Sequence, residues 1–114
     1  LRFPVFSRNL GKEVDVLVYV ANWPAKRAAH WRALLQARAI ENQCYVVGVN
    51  RLGIDGNTVA YQGDSMVVDF QGEIIADAFD RDGLHYAKLD LAALNDYRAA
   101  FPACMDQDVF TLEI

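Results

Sequence analysis

Two nearly continuous apolar segments constrain the fold of this chain more than any other feature. The first covers residues 14–21 and the second covers residues 44–49. Both are rich in valine, and neither shows the alternation of apolar and polar residues that marks a half-exposed strand. We therefore predict two strands that are covered on both faces, and we expect the first to be a central strand of its sheet.

Helical spacing separates these two strands. After the turn at Asn22-Trp23-Pro24, apolar residues recur along one side of a predicted helix that begins at Ala25 and ends near Asn42. The residues on that side are Ala28, Trp31, Leu34, Leu35 and Ala39. Strand, helix and strand in this order are typical of an α/β fold.

The second half of the chain predicts smaller elements. Residues 66–70 and 73–76 flank Gln71-Gly72, which favours a β-hairpin with a two-residue connection. A further strand is expected over residues 84–89. Asp90 can cap a short helix over residues 91–98, and residues 101–114 form a C-terminal tail.

One domain with a single sheet accounts for all these elements. The predicted strands need cover on both faces, yet the sequence supplies only one long helix. The other face of the sheet therefore calls for a partner sheet. The abrupt start at Leu1-Arg2-Phe3-Pro4, without an initiator methionine, gives the expectation that the chain is a fragment of a longer protein.

Composition excludes several classes of function. The 114 residues are 54% hydrophobic and 23% charged, as in an ordinary globular domain. The net charge of −4 argues against binding to nucleic acid, which requires clustered Lys and Arg. The apolar run at residues 16–21 is far shorter than the ~20 residues of a membrane-spanning helix. We expect a cytoplasmic protein with no nucleic-acid or membrane partner.

Neither cysteine has the setting of a catalytic nucleophile. Cys44 opens an apolar strand, where a thiol is a small hydrophobic group with a raised pKa, and Cys104 lies in the tail. We predict that both are free thiols with structural roles. A serine triad of Ser65 with His30 or His85 lacks the Gly-x-Ser-x-Gly turn that presents such a serine.

No metal site is predicted. The acidic residues Asp77, Asp80 and Asp82 lack the bidentate glutamate that closes a calcium loop, and they are interpreted as a solvated turn. The histidines and cysteines do not have the spacing of zinc ligands. We expect neither a metal nor a cofactor.

Two features have more than one interpretation. Arg38 and Glu41 are three residues apart on the helix, and they form either an ordinary surface pair or part of a partly buried polar network. The ring of Trp23 is either a packing plug below the strand end or the wall of a pocket.

Several segments together resemble the nitrilase superfamily of carbon-nitrogen hydrolases. Besides Asn22-Trp23-Pro24, they are His30 to Leu35, Ala37 to Gln43, Asn50-Arg51, Asp55 to Asn57, Gly63 to Ser65 and Asp69 to Glu73. The resemblance covers residues 1 to about 102. Leu1 to Arg8 and Ala21 to Ala25 look most like the omega-amidases that act on 2-oxoglutaramate.

This resemblance implies a fold and a reaction. The family's fold is a four-layer αββα sandwich, so the chain would be its C-terminal half, a mixed sheet with helices on one face. The nucleophilic cysteine would fall just ahead of Leu1, and the general-base glutamate and oxyanion-stabilising lysine further upstream. No catalytic residue would then lie in this chain, and the fragment alone would be inactive.

The resemblance also implies which residues shape the substrate site and how the protein assembles. Arg2 and Phe3 would follow the nucleophile, and Asn22 and Trp23 would lie on the loop after the next strand; among these, Trp23 is the first candidate. The substrate would be a small-molecule amide, the terminal amide of a short dicarboxylic acid. A homodimer or larger homo-oligomer is expected, with the tail over residues 101–114 at the interface.

Two alternatives remain open. The first keeps the superfamily but changes the substrate to another acyl group, such as a carbamoyl compound or a modified peptide amide. The second is a non-catalytic binding module that keeps the half-sandwich and presents the apolar face of its sheet to a partner.

Overall fold

A computed structural model describes residues 1–9, 13–111 and 113 of the chain. Its strands are β1 (Val16–Ala21), β2 (Tyr45–Asn50), β3 (Leu52–Ile54), β4 (Ala60–Gln62), β5 (Ser65–Val68) and β6 (Ile74–Phe79), and its helices are α1 (Ala28–Asn42) and α2 (Leu91–Ala100). Short 3-10 turns lie at Pro4–Ser7, Ala25–Arg27 and Ala103–Asp106. The predicted α/β class is confirmed.

The main sheet is mixed and has the order β1-β2-β5-β6. β1 and β2 are parallel, with Val16 opposite Tyr45 and Ala21 opposite Asn50. β2 and β5 are antiparallel, as are β5 and β6. The expectation that the first strand is central is wrong for the part of the chain that the structure describes, because β1 pairs there with β2 alone and lies at the edge.

The first helix covers one face of this sheet. It begins at Ala28 after the short turn at Ala25–Arg27, three residues later than predicted, and it ends at Asn42 as predicted. Trp31, Leu35 and Ala39 of α1 are buried against the sheet, where they meet Val46, Met66 and Val68. Burial of this apolar surface is the main force that holds α1 on the sheet.

The opposite face of the sheet is largely uncovered. Val18 is 62% exposed and Val20 is 80% exposed, although both stand in the middle of an apolar strand. The second helix lies only at one end of the sheet, where Leu94 packs on Tyr45 and Phe70. The sequence-based prediction that one face calls for further cover agrees with these exposures.

The predicted hairpin is present as β5 and β6, but its connection is longer than two residues. β5 ends at Val68 and β6 begins at Ile74. The side chain of Asp69 caps the turn, since its Oδ1 accepts hydrogen bonds from the backbone N–H groups of Gln71 and Glu73. The segment predicted as a loop after β2 contains a second small hairpin, formed by β3 and β4.

The predicted strand over residues 84–89 is wrong. The segment has no regular secondary structure and forms no ladder with the described strands, and Leu84 and Tyr86 are each 84% exposed. An apolar run cannot become a strand without a neighbouring strand to receive its hydrogen bonds.

The C-terminal part agrees better with the prediction. Asp90 accepts a hydrogen bond from the backbone N–H of Ala93 and so caps α2, which extends to Ala100. The predicted tail over residues 101–114 contains the short turn at Ala103–Asp106. Residues 112 and 114 of the tail, like residues 10–12 of the predicted domain, lie outside the described residues. No helix among the described residues has the length and apolarity needed to cross a membrane.

Candidate functional site

The candidate site lies where the parallel strands β1 and β2 end. Asn22 and Trp23 follow β1 directly, Asn50 is the last residue of β2, and Arg51 follows it. Parallel strands bring their carboxyl ends to the same edge of a sheet, which is where open α/β sheets bind their ligands. The loops at this edge therefore form the candidate site.

Trp23 is held at this edge by several contacts. Its indole Nε1 donates a hydrogen bond of 2.8 Å to the carbonyl oxygen of Arg27. Its ring lies 5.7 Å from the ring of Trp31, centroid to centroid, at an angle of 43°. The guanidinium of Arg2 lies 5.0 Å above the Trp23 ring, within the range of a cation–π interaction. Trp23 thus packs on the core through Trp31 and also meets a cationic side chain.

Of the four predicted substrate-binding residues, the structure brings Arg2 and Trp23 together. Phe3 is 74% exposed and Asn22 is also exposed. Neither makes a side-chain hydrogen bond or a ring contact with the described part of the chain. The role of these four residues in binding a substrate stays a prediction.

Asn50 is the residue that sequence reasoning missed. Its Oδ1 accepts a hydrogen bond of 2.7 Å from the backbone N–H of Trp23, and its Nδ2 donates 3.0 Å and 2.8 Å bonds to the carbonyl oxygens of Trp23 and Gly63. The signal available in the sequence was a polar residue directly after the apolar run at residues 44–49. That signal does not indicate which segments accept hydrogen bonds from the Asn50 side chain or donate to it.

A cluster of charged side chains, formed by Arg32, Asp64 and Asp77, lies near the same edge. Arg32 of α1 forms ion pairs with Asp64 at 3.0 Å and with Asp77 at 2.5 Å. The hydrogen bond from Arg32 holds the pKa of the Asp77 carboxyl below its usual value. Trp31 also donates its indole N–H to the carbonyl oxygen of Asp64. These bonds fix the chain just ahead of β5.

Arg38 and Glu41 belong to a partly buried network, not to an ordinary surface pair. Arg38 is 4% exposed, and its Nη1 lies 2.8 Å from the carboxylate of Glu41. The same guanidinium donates two hydrogen bonds to the carbonyl oxygen of Leu1. Arg38 therefore attaches the start of the described chain to α1.

The alternative nucleophiles are placed unfavourably. The hydroxyl of Ser65 exchanges hydrogen bonds with the backbone of Asn50, not with a histidine, and both histidines are exposed. Cys44 is fully buried, and burial raises the pKa of its thiol to about 11. Both cysteines are free, as predicted.

The acidic residues that were compared with a calcium loop are arranged differently from one. Asp77 is engaged by Arg32, whereas Asp80 and Asp82 are exposed. The described residues contain no group of three or more His, Cys, Asp or Glu side chains arranged to hold a metal ion.

Known proteins are similar to this chain in sequence and in fold. The sequence model of the carbon-nitrogen hydrolase family matches residues 1–99. The omega-amidase YafV of Escherichia coli K12 is 58% identical over 113 residues, which are 98% of this chain and 44% of that protein. The 2-oxoglutaramate amidase of Paenarthrobacter nicotinovorans is 41% identical over 108 residues, which are 94% of this chain and 36% of that protein.

A solved structure gives the same result. The CN-hydrolase superfamily protein XC1258 of Xanthomonas campestris, which carries an arsenic adduct in its active site, superimposes with a TM-score of 0.94 at 44% identity. The match covers 98% of this chain and 45% of that one. The chain spans less than half the length of each of these three relatives. Sequence and fold agree over nearly all of its residues, and the chain belongs to the carbon-nitrogen hydrolase family.

Proposed function

We propose that this chain is part of a cysteine-dependent amidase that hydrolyses the terminal amide of a small dicarboxylic acid monoamide and releases ammonia. The observation that carries this proposal is the 58% identity to an omega-amidase over 98% of the chain. The similarity to a protein named 2-oxoglutaramate amidase supports the same substrate class.

The proposed reaction uses a nucleophile that lies outside this sequence. A cysteine thiolate attacks the amide carbon, and a lysine together with a backbone N–H stabilises the oxyanion that forms. The C–N bond then breaks, the nitrogen leaves as ammonia, and water hydrolyses the resulting thioester to the free acid. In this proposal the cysteine, the lysine and the general-base glutamate lie ahead of Leu1, and the residues of this chain serve binding instead of bond breaking.

Arg2 and Trp23 are the residues of this chain that we assign to substrate binding, together with Phe3 and Asn22. The guanidinium of Arg2 lies over the indole of Trp23 at the edge where β1 and β2 end. A cationic group beside a rigid aromatic wall suits a substrate that carries a carboxylate at one end and an amide at the other.

The uncovered face of the sheet supports a second layer. Val18 and Val20 of β1 are exposed, although apolar residues in such a strand are expected to be buried. In the proposed enzyme a second sheet packs on this face, completing the four-layer sandwich, and the 114 residues alone are inactive. We also propose a cytoplasmic homo-oligomer in which the tail over residues 101–114 contributes to the interface.

The test is ammonia release by the intact protein, measured with 2-oxoglutaramate, a carbamoyl amino acid and acetamide as parallel substrates. We expect hydrolysis of 2-oxoglutaramate, and we expect iodoacetamide to abolish it. The variant Trp23→Ala should lower kcat/KM by about tenfold or more, because it removes the aromatic ring beside Arg2 that we assign to substrate binding. The control His30→Ala changes an exposed residue of α1 and should leave kcat/KM unchanged.

Other outcomes would support the alternatives. Hydrolysis of the carbamoyl compound alone would favour a different acyl group within the same family. Failure to release ammonia from any of the three substrates would contradict the proposed amidase and favour the binding module.

A further inference from the structure

The side chain of Asn50 continues the β1–β2 ladder beyond its last backbone pair. Ala21 and Asn50 are the final partners of the parallel register. Trp23 lies two residues after Ala21, and both of its main-chain polar groups bond the side-chain amide of Asn50. Its N–H donates to Oδ1 at 2.7 Å, and its carbonyl oxygen accepts from Nδ2 at 3.0 Å. The amide thus takes the place of a backbone peptide and fixes the main chain of Trp23 at a point where the described strands offer no partner.

The same amide also joins the Trp23 loop to the segment before β5. The second hydrogen on Nδ2 is donated to the carbonyl oxygen of Gly63 at 2.8 Å. Gly63 has a φ of +80°, and a Cβ there would stand 2.8 Å from the carbonyl oxygen of Phe79. The N–H of Gly63 also donates a hydrogen bond of 3.1 Å to the carbonyl oxygen of Arg51, so Asn50 connects Trp23 to a segment that is itself bonded beside the end of β2.

The backbone of Asn50 is held from a third direction. Its N–H donates to the hydroxyl of Ser65 at 3.0 Å, and that hydroxyl donates back to the Asn50 carbonyl at 3.3 Å. The three hydrogen bonds of the Asn50 side-chain amide all go to main-chain groups, two of Trp23 and one of Gly63. An amide supplies this set of one acceptor and two donors, whereas a carboxylate supplies acceptors only.

We infer that Asn50 is a positioning residue that sets the place of Trp23 in the substrate pocket, and this inference rests on the proposed function. Asn50 touches no reacting atom. It acts through Trp23: if the two main-chain bonds were lost, only the contacts of the ring with Arg27 and Trp31 would hold it beside Arg2. The predicted consequence is weaker binding of the substrate in a protein that remains folded.

The experiment compares Asn50→Asp with Asn95→Asp in the intact protein. Both variants make the same chemical change, but Asn95 is an exposed residue of α2 with no side-chain hydrogen bond to the described residues. Asn50→Asp turns an oxygen toward the carbonyls of Trp23 and Gly63, so KM should rise about tenfold or more while kcat changes less. Asn95→Asp should leave both parameters unchanged.

A double-mutant cycle separates positioning from general stability. If Asn50 acts through Trp23, Asn50→Asp should have little further effect on kcat/KM in a Trp23→Ala background. Full additivity of the two changes would overturn the inference. So would a fall in melting temperature for Asn50→Asp without a rise in KM. If aspartate prevents folding, Asn50→Ser takes its place in the cycle.

A readout independent of activity keeps this inference distinct from the proposed function. The fluorescence of Trp23 and its quenching by iodide are obtained by subtracting the signal of a variant that also carries Trp23→Phe. This subtraction is made once for the wild type and once for Asn50→Asp. Asn50→Asp should increase the accessibility of Trp23 to iodide, and an unchanged accessibility would overturn the inference. If the wild type hydrolyses no amide, the proposed function fails, and the quenching result alone decides the role of Asn50.

Discussion

Arg38 in α1 donates two hydrogen bonds to the carbonyl oxygen of Leu1, from Nε at 3.0 Å and from Nη2 at 2.7 Å. The planar guanidinium can direct two N–H groups at one oxygen while a third bonds Glu41. In the proposed enzyme this oxygen lies close in sequence to the nucleophile, so the contact ties that segment to α1.

We therefore expect Arg38→Lys to destabilise the intact protein by about 2 kcal/mol, because an ammonium cannot reproduce the two-pronged donation and leaves a partly buried carbonyl poorly paired. Urea unfolding measures this change in the free energy of unfolding. Glu41→Gln is the matched control. The Glu41 side chain is 43% exposed, so its loss should cost less than about 1 kcal/mol. Equal effects of the two variants would contradict the assignment.

Gly48 of β2 lies close to side chains of α1. A Cβ at this position would stand 2.5 Å from Cδ1 of Leu35 and 2.9 Å from Cζ2 of Trp31. Gly48→Ala should lower the stability of the intact protein by about 1–3 kcal/mol, as an overpacked core does. Thermal unfolding checks this result. Gly56→Ala is the control, because no atom lies within 4 Å of a Cβ built there, and a comparable loss in both variants would refute the packing argument.

The ion pair of Arg32 and Asp77 should give the stability a dependence on acid pH. Arg32 lowers the pKa of Asp77 in the folded state. A lowered folded-state pKa means that the contribution is present above the ordinary aspartate value of about 4 and is lost as the pH falls through the lowered value. Asp77→Asn should therefore cost about 1 kcal/mol near neutral pH and progressively less as the pH falls below about 4.

Urea unfolding of wild type and Asp77→Asn at a series of pH values measures this difference. Asp80→Asn changes an exposed carboxylate three residues away and should show a small difference at every pH. A gap between wild type and Asp77→Asn that stays constant as the pH is lowered would count against the ion pair as the cause.

The two cysteines should differ in their reactivity toward alkylating reagents. Cys44 is fully buried with a pKa raised to about 11, whereas Cys104 lies in the partly exposed turn at Ala103–Asp106. We expect iodoacetamide near neutral pH to modify Cys104 in the folded protein and Cys44 only after unfolding. Mass spectrometry of the digested protein locates the modified residue. Early modification of Cys44 would show that the strand start opens more readily than the structure indicates.

Local sequence patterns predicted the elements whose causes are local. The end of α1 at Asn42 and the cap of α2 by Asp90 both depend on residues within one helical turn, and both are confirmed. The two apolar runs likewise predicted the parallel strands β1 and β2, because a run of apolar residues is a local pattern. The strand predicted over residues 84–89 failed because a strand also requires a partner, which no local pattern contains.

Contacts between distant segments were beyond prediction from the residues alone. Asn50 bonds Trp23, which lies 27 positions earlier, and Arg32 meets Asp77, which lies 45 positions later. Neither contact can be predicted from the periodicity or the composition of the sequence. The resemblance to a family drew attention to Trp23 and Arg2, whose contact the structure shows, but it did not indicate the amide that holds Trp23 in place.

The valines on the uncovered face of β1 have a consequence for redesign. Replacing Val18 and Val20 by threonine or lysine would make the 114 residues easier to handle as a separate domain, since fewer apolar groups would face water. The same changes would remove the surface on which the proposed second sheet packs. Mutational tolerance at these two positions therefore depends on the setting: a screen for solubility of this segment and a screen for catalysis by the whole protein would select opposite residues.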